Sequence, residues 1–189
     1  MVLFLALPSI AGAQVNFGIK AGVNFSDAKF DDTNPDPALR LNAGIISEIT
    51  IGKNFFVRPE LLYSAKGWKA PGISMTLDYV SLPLLAGCRL VPDFAILLGP
   101  EVGYLISAHR KPSAPDIGKM YEKFDYGIAV GASYRIVKQL SIELIYTHGF
   151  DTLIKAEGRD DKNTPAGEIF RDGANRVIHL GVIYHLNPS

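Results

Sequence analysis

The chain has 189 residues with 19 Lys and Arg against 19 Asp and Glu, so it carries no formal net charge and no electrostatic footprint for nucleic acid. Hydrophobic residues make up 48% and stand beside 18 Gly, 10 Phe and 8 Tyr, a composition that excludes a disordered or collagen-like chain. The lone cysteine, Cys88, excludes an intrachain disulfide and a cysteine-rich metal scaffold, and no cofactor is expected.

Residues 1–13, MVLFLALPSIAGA, are uncharged, mostly apolar and end in the small-x-small triplet Ala11, Gly12, Ala13. They read as a signal peptide, too short for the roughly 20 apolar residues of a spanning helix. The first basic residue is Lys20, a departure from the usual basic start. Residues 14–189 then form one domain.

From Val15 onward, hydrophobicity follows a period of two and no amphipathic helix is found. In VNFGIKAGVNF, Val15, Phe17, Ile19, Ala21, Val23 and Phe25 form one face, and Asn16, Gly18, Lys20, Gly22 and Asn24 the other. The next candidate strand covers 39–51. In FFVRPELLYSAKG, Phe55, Val57, Pro59, Leu61, Tyr63 and Ala65 oppose Arg58, Glu60, Ser64 and Lys66. Segment 74–88 has apolar residues on both parities, so its faces are not assignable from the pattern. After a strand over 94–107, FDYGIAVGASY again alternates, with Tyr126, Ile128 and Val130 against Asp125, Gly127 and Gly131. Strands over 139–150 and 175–186 bring the number to eight. Connections near 52–54, 89–93 and 136–138 are short, those at 26–38, 108–120 and 151–174 are long and polar, and 68–73 is intermediate. Short turns at one end and long loops at the other fit an all-β, eight-stranded antiparallel up-and-down transmembrane β-barrel.

Composition orients the faces. An apolar face turned inward, as in a soluble lipocalin-like carrier of a small molecule, would leave Gly18, Gly22, Gly127, Ala129, Gly131 and Gly181 as the water-exposed surface. Turned outward, it meets lipid, and the small residues fit the narrow interior of an eight-stranded barrel. The inward charges are then Lys20, Arg40, Arg58 and Lys66 against Glu48, Glu60, Glu101, Asp125 and Glu143. They are expected to pair and plug the interior, with His179 and His185 completing the network. Lipid-facing aromatics Phe17, Phe55, Phe94, Tyr134 and Tyr184 fall at the short-turn side. Tyr63, Tyr104, Tyr126 and Tyr146, with Phe25, Trp68, Phe124 and Phe150, fall toward the long loops, giving two girdles.

The segments FGIKAGVNFSD, GKNFFVRPELLYSAKGWK, LDYVSLPLLAG, AILLGPEVGYLISA and FDYGIAVGASY resemble the Gram-negative outer-membrane β-barrel family that includes PorT-like and porin-family proteins. The resemblance implies a small outer-membrane protein and, for the PorT-like branch, an accessory part in protein secretion and translocation. The C-terminus departs from the family habit of a final aromatic, with Leu186 at the last outward position and Tyr184 two residues before it.

Partners are expected to be outer-membrane lipid and lipopolysaccharide. Pro59, Pro83 and Pro100 each remove a ladder donor from neighbouring strands, which predicts local bulges and a wall where a protein partner docks. A rim hydrolase would need Ser107, His109, His148 and Asp151 to converge, which spacing alone does not bring about, so no enzyme is expected. Asp31, Asp32, Asn34 and Asp36 offer oxygen ligands but lack the glycine and distal glutamate of a calcium loop, and the mixed charges of 154–172 read as a solvated loop.

Overall fold

The structure, a computed structural model, describes residues 14–29, 36–70, 72–111, 122–150 and 174–187. The leader 1–13 and the loop residues Asp31, Asp32, Asn34 and Asp151 lie outside them, as does the segment 154–172. The strands are β1 (Val15–Lys29), β2 (Asp36–Ile51), β3 (Phe55–Lys66), β4 (Trp68–Ala70), β5 (Ile73–Val91), β6 (Phe94–Lys111), β7 (Phe124–Val137), β8 (Leu140–Gly149) and β9 (Ala174–His185). Every pairing is antiparallel. β1 pairs with both β2 and β9, Ile19 lying between Ile45 and Tyr184, so the sheet closes on itself and leaves no edge. The short β4 continues β3 and pairs with β2 and β5, which makes the closed barrel eight-stranded.

The chain breaks between β3 and β4 because Gly67 has φ +145, a backbone setting that side-chain-bearing residues seldom adopt. A Cβ there would also run into the Met75 carbonyl oxygen. β4 then pairs directly back onto β5, with Ala70 opposite Ile73, so this stretch is strand and hairpin and not a loop of intermediate length. The other turns near the residues expected are short, at 52–54, 92–93 and 138–139.

The apolar rows face outward. Ile19, Ile45, Leu61, Leu82, Leu98, Ile128, Val130, Leu144 and Leu180 are all exposed, an arrangement that water would not tolerate over a whole wall and that acyl chains favour. A soluble carrier, with these rows meeting inside, is not what the chain builds. The lumen holds more than glycine and ions, however. Phe56, Leu85, Ala95, Leu97, Ala129 and Ile145 form a buried apolar cluster that runs from the short-turn end to the level of Lys20 and Glu60, and Trp68, Met75, Leu77 and Leu105 are buried toward the long-loop end. The Phe56 ring fills the space beside Gly87, where a Cβ would collide with it.

That inner layer explains why β5 carries no clean alternation. Its inward positions Leu77, Tyr79, Leu85 and its outward positions Leu82 and Leu84 are all apolar, because here the wall meets oil on both sides.

The bulges expected at the prolines are not there. Register shifts fall between Asp78 and Tyr79, between Arg89 and Val91, and between Arg135 and Val137. Pairing across Pro59, Pro83 and Pro100 keeps one register: Pro59 sits opposite Leu84, Pro83 opposite Glu101 and Pro100 opposite Ile128. The missing donors leave gaps in the β3–β5 and β5–β6 ladders without adding a residue to either strand, and flanking pairs hold the register.

Val130→Arg places a guanidinium on the lipid face at mid-strand and should cost about 2–4 kcal/mol in urea unfolding from lipid vesicles. Arginine at Gln139, on a short turn, should cost under about 1 kcal/mol in the same titration.

Candidate functional site in the lumen and at its mouths

Eight of the nine inward charges named from the sequence are buried: Lys20, Glu48, Arg58, Glu60, Lys66, Glu101, Asp125 and Glu143. They come from strands distant in sequence, and seven of them meet in two clusters. In the first, Lys20 on β1 contacts Glu60 on β3 at 2.8 Å and also bonds Glu143 on β8. Arg58 closes the circuit, with Nε 2.7 Å from Glu60 Oε1 and Nη2 2.6 Å from Glu143 Oε2. Two cations and two carboxylates thus form a ring across the lumen. Each carboxylate spends its two oxygens on two different cations, so removing any member leaves two partners under-satisfied.

In the second cluster Lys66 reaches Glu101 at 3.1 Å and Asp125 at 3.0 Å. Glu101 also accepts from the Thr147 hydroxyl at 3.0 Å. Thr147 faces His179 Nε2 at 3.2 Å, and His179 Nδ1 donates to Asn24 Oδ1 at 2.6 Å. Asn24 Oδ1 also accepts from Asn42, while its amide nitrogen donates to Ser64 Oγ at 3.0 Å and the Ala65 carbonyl at 2.8 Å. The Ala65 carbonyl can only accept, which fixes the Asn24 amide and requires Nδ1 of His179 to carry a proton. The Lys66 ammonium also lies over the Tyr79 ring, 5.1 Å from its centroid.

The remaining charges sit toward the ends. Glu48 pairs with Arg89, which the sequence did not single out because it lies just past a segment whose faces had no pattern. Arg89 also stacks on Phe56 at 4.6 Å. Arg40 points inward but meets no carboxylate among the described residues; its guanidinium donates to Ser74 Oγ at 3.1 Å and the Met75 carbonyl at 2.9 Å. His185 contacts Ser141 Oγ at 2.9 Å.

Of the named aromatics, Phe17, Phe55, Tyr63, Tyr104, Tyr126, Tyr134, Tyr146 and Tyr184 are exposed on outward positions and Phe94 is partly covered on one. Phe94 lies opposite Tyr134, and Tyr104 packs edge-on against Phe124 at 5.3 Å. Trp68 is the exception and leaves the girdle. It is 1% exposed, because it follows Lys66 by two residues and shares its inward face.

The rim constellation does not assemble. His148 is in register with Ile128, and Ile128 with Pro100, nine residues along β6 from His109, a separation of about 30 Å at strand rise. Instead Ser107 and His109 meet Asp78 and Tyr63 on the outer wall: Ser107 Oγ is 2.9 Å and Asp78 Oδ2 3.6 Å from His109 Nε2, and the Tyr63 hydroxyl donates to Asp78 Oδ1 at 2.7 Å. Serine and aspartate address the same ring nitrogen. A relay needs them on opposite nitrogens, so this cluster lacks the geometry of a catalytic triad. Among the described residues no group of three or more His, Cys, Asp or Glu could hold a metal ion, and Asp36 lies opposite Lys69.

A family profile described as an outer membrane protein beta-barrel domain matches residues 11–155. Among solved structures, the barrel is similar to Ail of Yersinia pestis, crystallised with the heparin analogue sucrose octasulfate, at TM-score 0.54 and 14% identity over 92% of this chain and 99% of that one. It is similar to Neisserial surface protein A, at TM-score 0.54 and 12% identity over 92% and 98%. It is also similar to a major outer membrane protein of Thermus thermophilus, at TM-score 0.52 and 13% identity over 91% and 99%. No curated protein matches the chain by sequence.

Lys20→Met leaves Glu60 and Glu143 sharing Arg58 and should destabilise the barrel by about 3–5 kcal/mol in urea unfolding. Adding Glu60→Gln should recover more than half of that loss, a coupling that a double-mutant cycle measures directly.

Proposed function

Because this chain belongs to the family of outer membrane protein beta-barrel domains and resides in the outer membrane, we propose that it acts as a sealed barrel without catalytic activity, meeting its partners through outer loops and wall. The observation that carries the reading is the ion ring of Lys20, Glu60, Arg58 and Glu143, drawn from β1, β3 and β8 and packed beside a buried apolar cluster. Four charges that neutralise one another offer no vacant ligand to a passing ion, and the bulky side chains beside them leave no water path of pore width. On this reading residues 1–13 are an export signal and 14–189 the mature barrel.

The interaction surface follows from the asymmetry of the connections. The short-turn end has few residues to present, whereas the long connections after β6 and β8 carry Lys, Arg, Asp and Glu in mixture. Such loops at the outer surface suit lipopolysaccharide, a phosphorylated sugar polymer. Ail, whose crystal holds a polysulfated sugar analogue, offers an analogy for that ligand chemistry. A second contact is proposed at the wall, where Pro59 and Pro100 flank Leu84 and Pro83 precedes it. Backbone acceptors left without ladder donors there favour a neighbour able to supply hydrogen bonds, such as a polar side chain of another membrane protein.

The refolded protein in a planar bilayer should show no stepwise conductance at neutral pH, and a steady open channel would refute the sealed lumen. Replacing 155–170 by a short Gly-Ser linker should keep heat-modifiable gel mobility, the sign of a folded barrel, while weakening binding to vesicles containing lipopolysaccharide by about tenfold or more. Undiminished binding would remove the loop from the interaction.

A further inference from the structure

We propose that the short-turn mouth of the barrel is a binding site for a single anionic group, a carboxylate or a phosphate, held by Arg135 and Ser133. This end is the periplasmic one in outer-membrane barrels, and the site is separate from the outer loops. A cavity of about 20 Å³ opens here, lined among others by Arg58, Arg89, Arg135, Ser133, Ser141 and His185. That is room for a water-sized group, hence for an oxygen of an anion reaching in from the mouth and not for a whole organic ligand.

The lining carries three guanidiniums, and two of them are satisfied. Arg58 is held by Glu60 and Glu143, and Arg89 by Glu48. Arg135 has no side-chain acceptor among the described residues. Its backbone amide donates to the Asp93 carbonyl at 2.7 Å, while the Asp93 carboxylate makes no ion pair with it. The Ser133 hydroxyl also has no partner among the described residues, whereas the Ser141 hydroxyl is engaged with His185.

Ser133 and Arg135 are two residues apart on β7 and share its lumen face, so their donors converge on one region of the cavity. The second feature is the charge around them. The short turns bring Lys53 and Lys138 to the same end, so that among the described residues there basic Lys53, Arg89, Arg135 and Lys138 outnumber acidic Glu48 and Asp93. The result is a positive mouth with one forked donor and one hydroxyl unspent, the chemistry that takes a carboxylate or phosphate oxygen pair. Because Ser133 and Arg135 stand on the lumen face, away from the bilayer, the anion that reaches them is a carboxylate of a periplasmic peptide or polymer, and a lipid headgroup phosphate is the rival that the test separates.

The test uses the refolded full barrel with the arginine side-chain Nε–H signals resolved by NMR. In nanodiscs of phosphatidylcholine, acetate and inorganic phosphate should each shift the Arg135 signal saturably, while Arg40, an inward guanidinium already bonded to Ser74 and the Met75 carbonyl, responds at least about tenfold more weakly. Arg135→Gln should abolish the saturable response of neighbouring backbone amides, and Arg135→Lys should keep it in weakened form. Folding of each variant is checked by heat-modifiable mobility. A shift on exchanging part of the phosphatidylcholine for phosphatidylglycerol, without soluble anion, identifies the headgroup as the source; a shift with a soluble carboxylate peptide alone identifies the periplasmic polymer. An Arg135 signal indifferent to every anion, or one that moves no more than Arg40, overturns the site.

Discussion

Charged side chains drawn out of water must neutralise one another, and much of this barrel is arranged around that requirement. The inward face carries Lys20, Arg58 and Lys66 with Glu60, Glu101, Asp125 and Glu143, all at most 5% exposed. An isolated ion in such a place costs several kcal/mol, which its mutual contacts must offset. The chain meets the cost through geometry. Glu60 and Glu143 each bridge Lys20 and Arg58, so four residues from three strands close a ring. Lys66 is shared between Glu101 and Asp125 in turn. The ring also specifies register, because a slip of one residue on β1, β3 or β8 would send a charge to the lipid face.

The wall answers the opposite problem. In lipid, the backbone must satisfy itself, and closure of β1 onto β9 removes the free edges that would otherwise face acyl chains. Three prolines interrupt the ladder, yet the chain tolerates them without a change of register. The extra residue between β5 and β6 appears higher up, near Asp78, where β6 turns Ser107 and His109 to the outside. There they meet Asp78 and the Tyr63 hydroxyl at the level where an outward polar group has headgroups and water for company.

Likeness at 12–16% identity to Ail, to Neisserial surface protein A and to a Thermus protein fixes the architecture and leaves the biology open, since one wall carries many loops. What distinguishes this chain is its own lumen and its two ends. Among the described residues Trp68, Met75, Leu77 and Leu105 are buried toward the long-loop end, while Arg135 lines a small cavity at the short-turn end.

Alternation over adjacent residues is a local property, and what depends on it alone was legible in the amino-acid order: the outward rows, the outward side of Phe17 or Tyr184, and the inward side of Lys20 and Glu143. Trp68 was legible too, by parity with Lys66, but its aromatic character argued for the girdle. Partnership is another matter. Arg58 and Glu143 lie 85 residues apart in the chain, and nothing in either neighbourhood says that they meet. The same holds for Arg89 and Glu48, and for the inner oil against which β5 lost its pattern. Those contacts exist only once eight strands close with a particular stagger, because closure sets which side chains share a depth. Alternation determined the side of the wall on which each residue stands; the tertiary structure decided what it touches there.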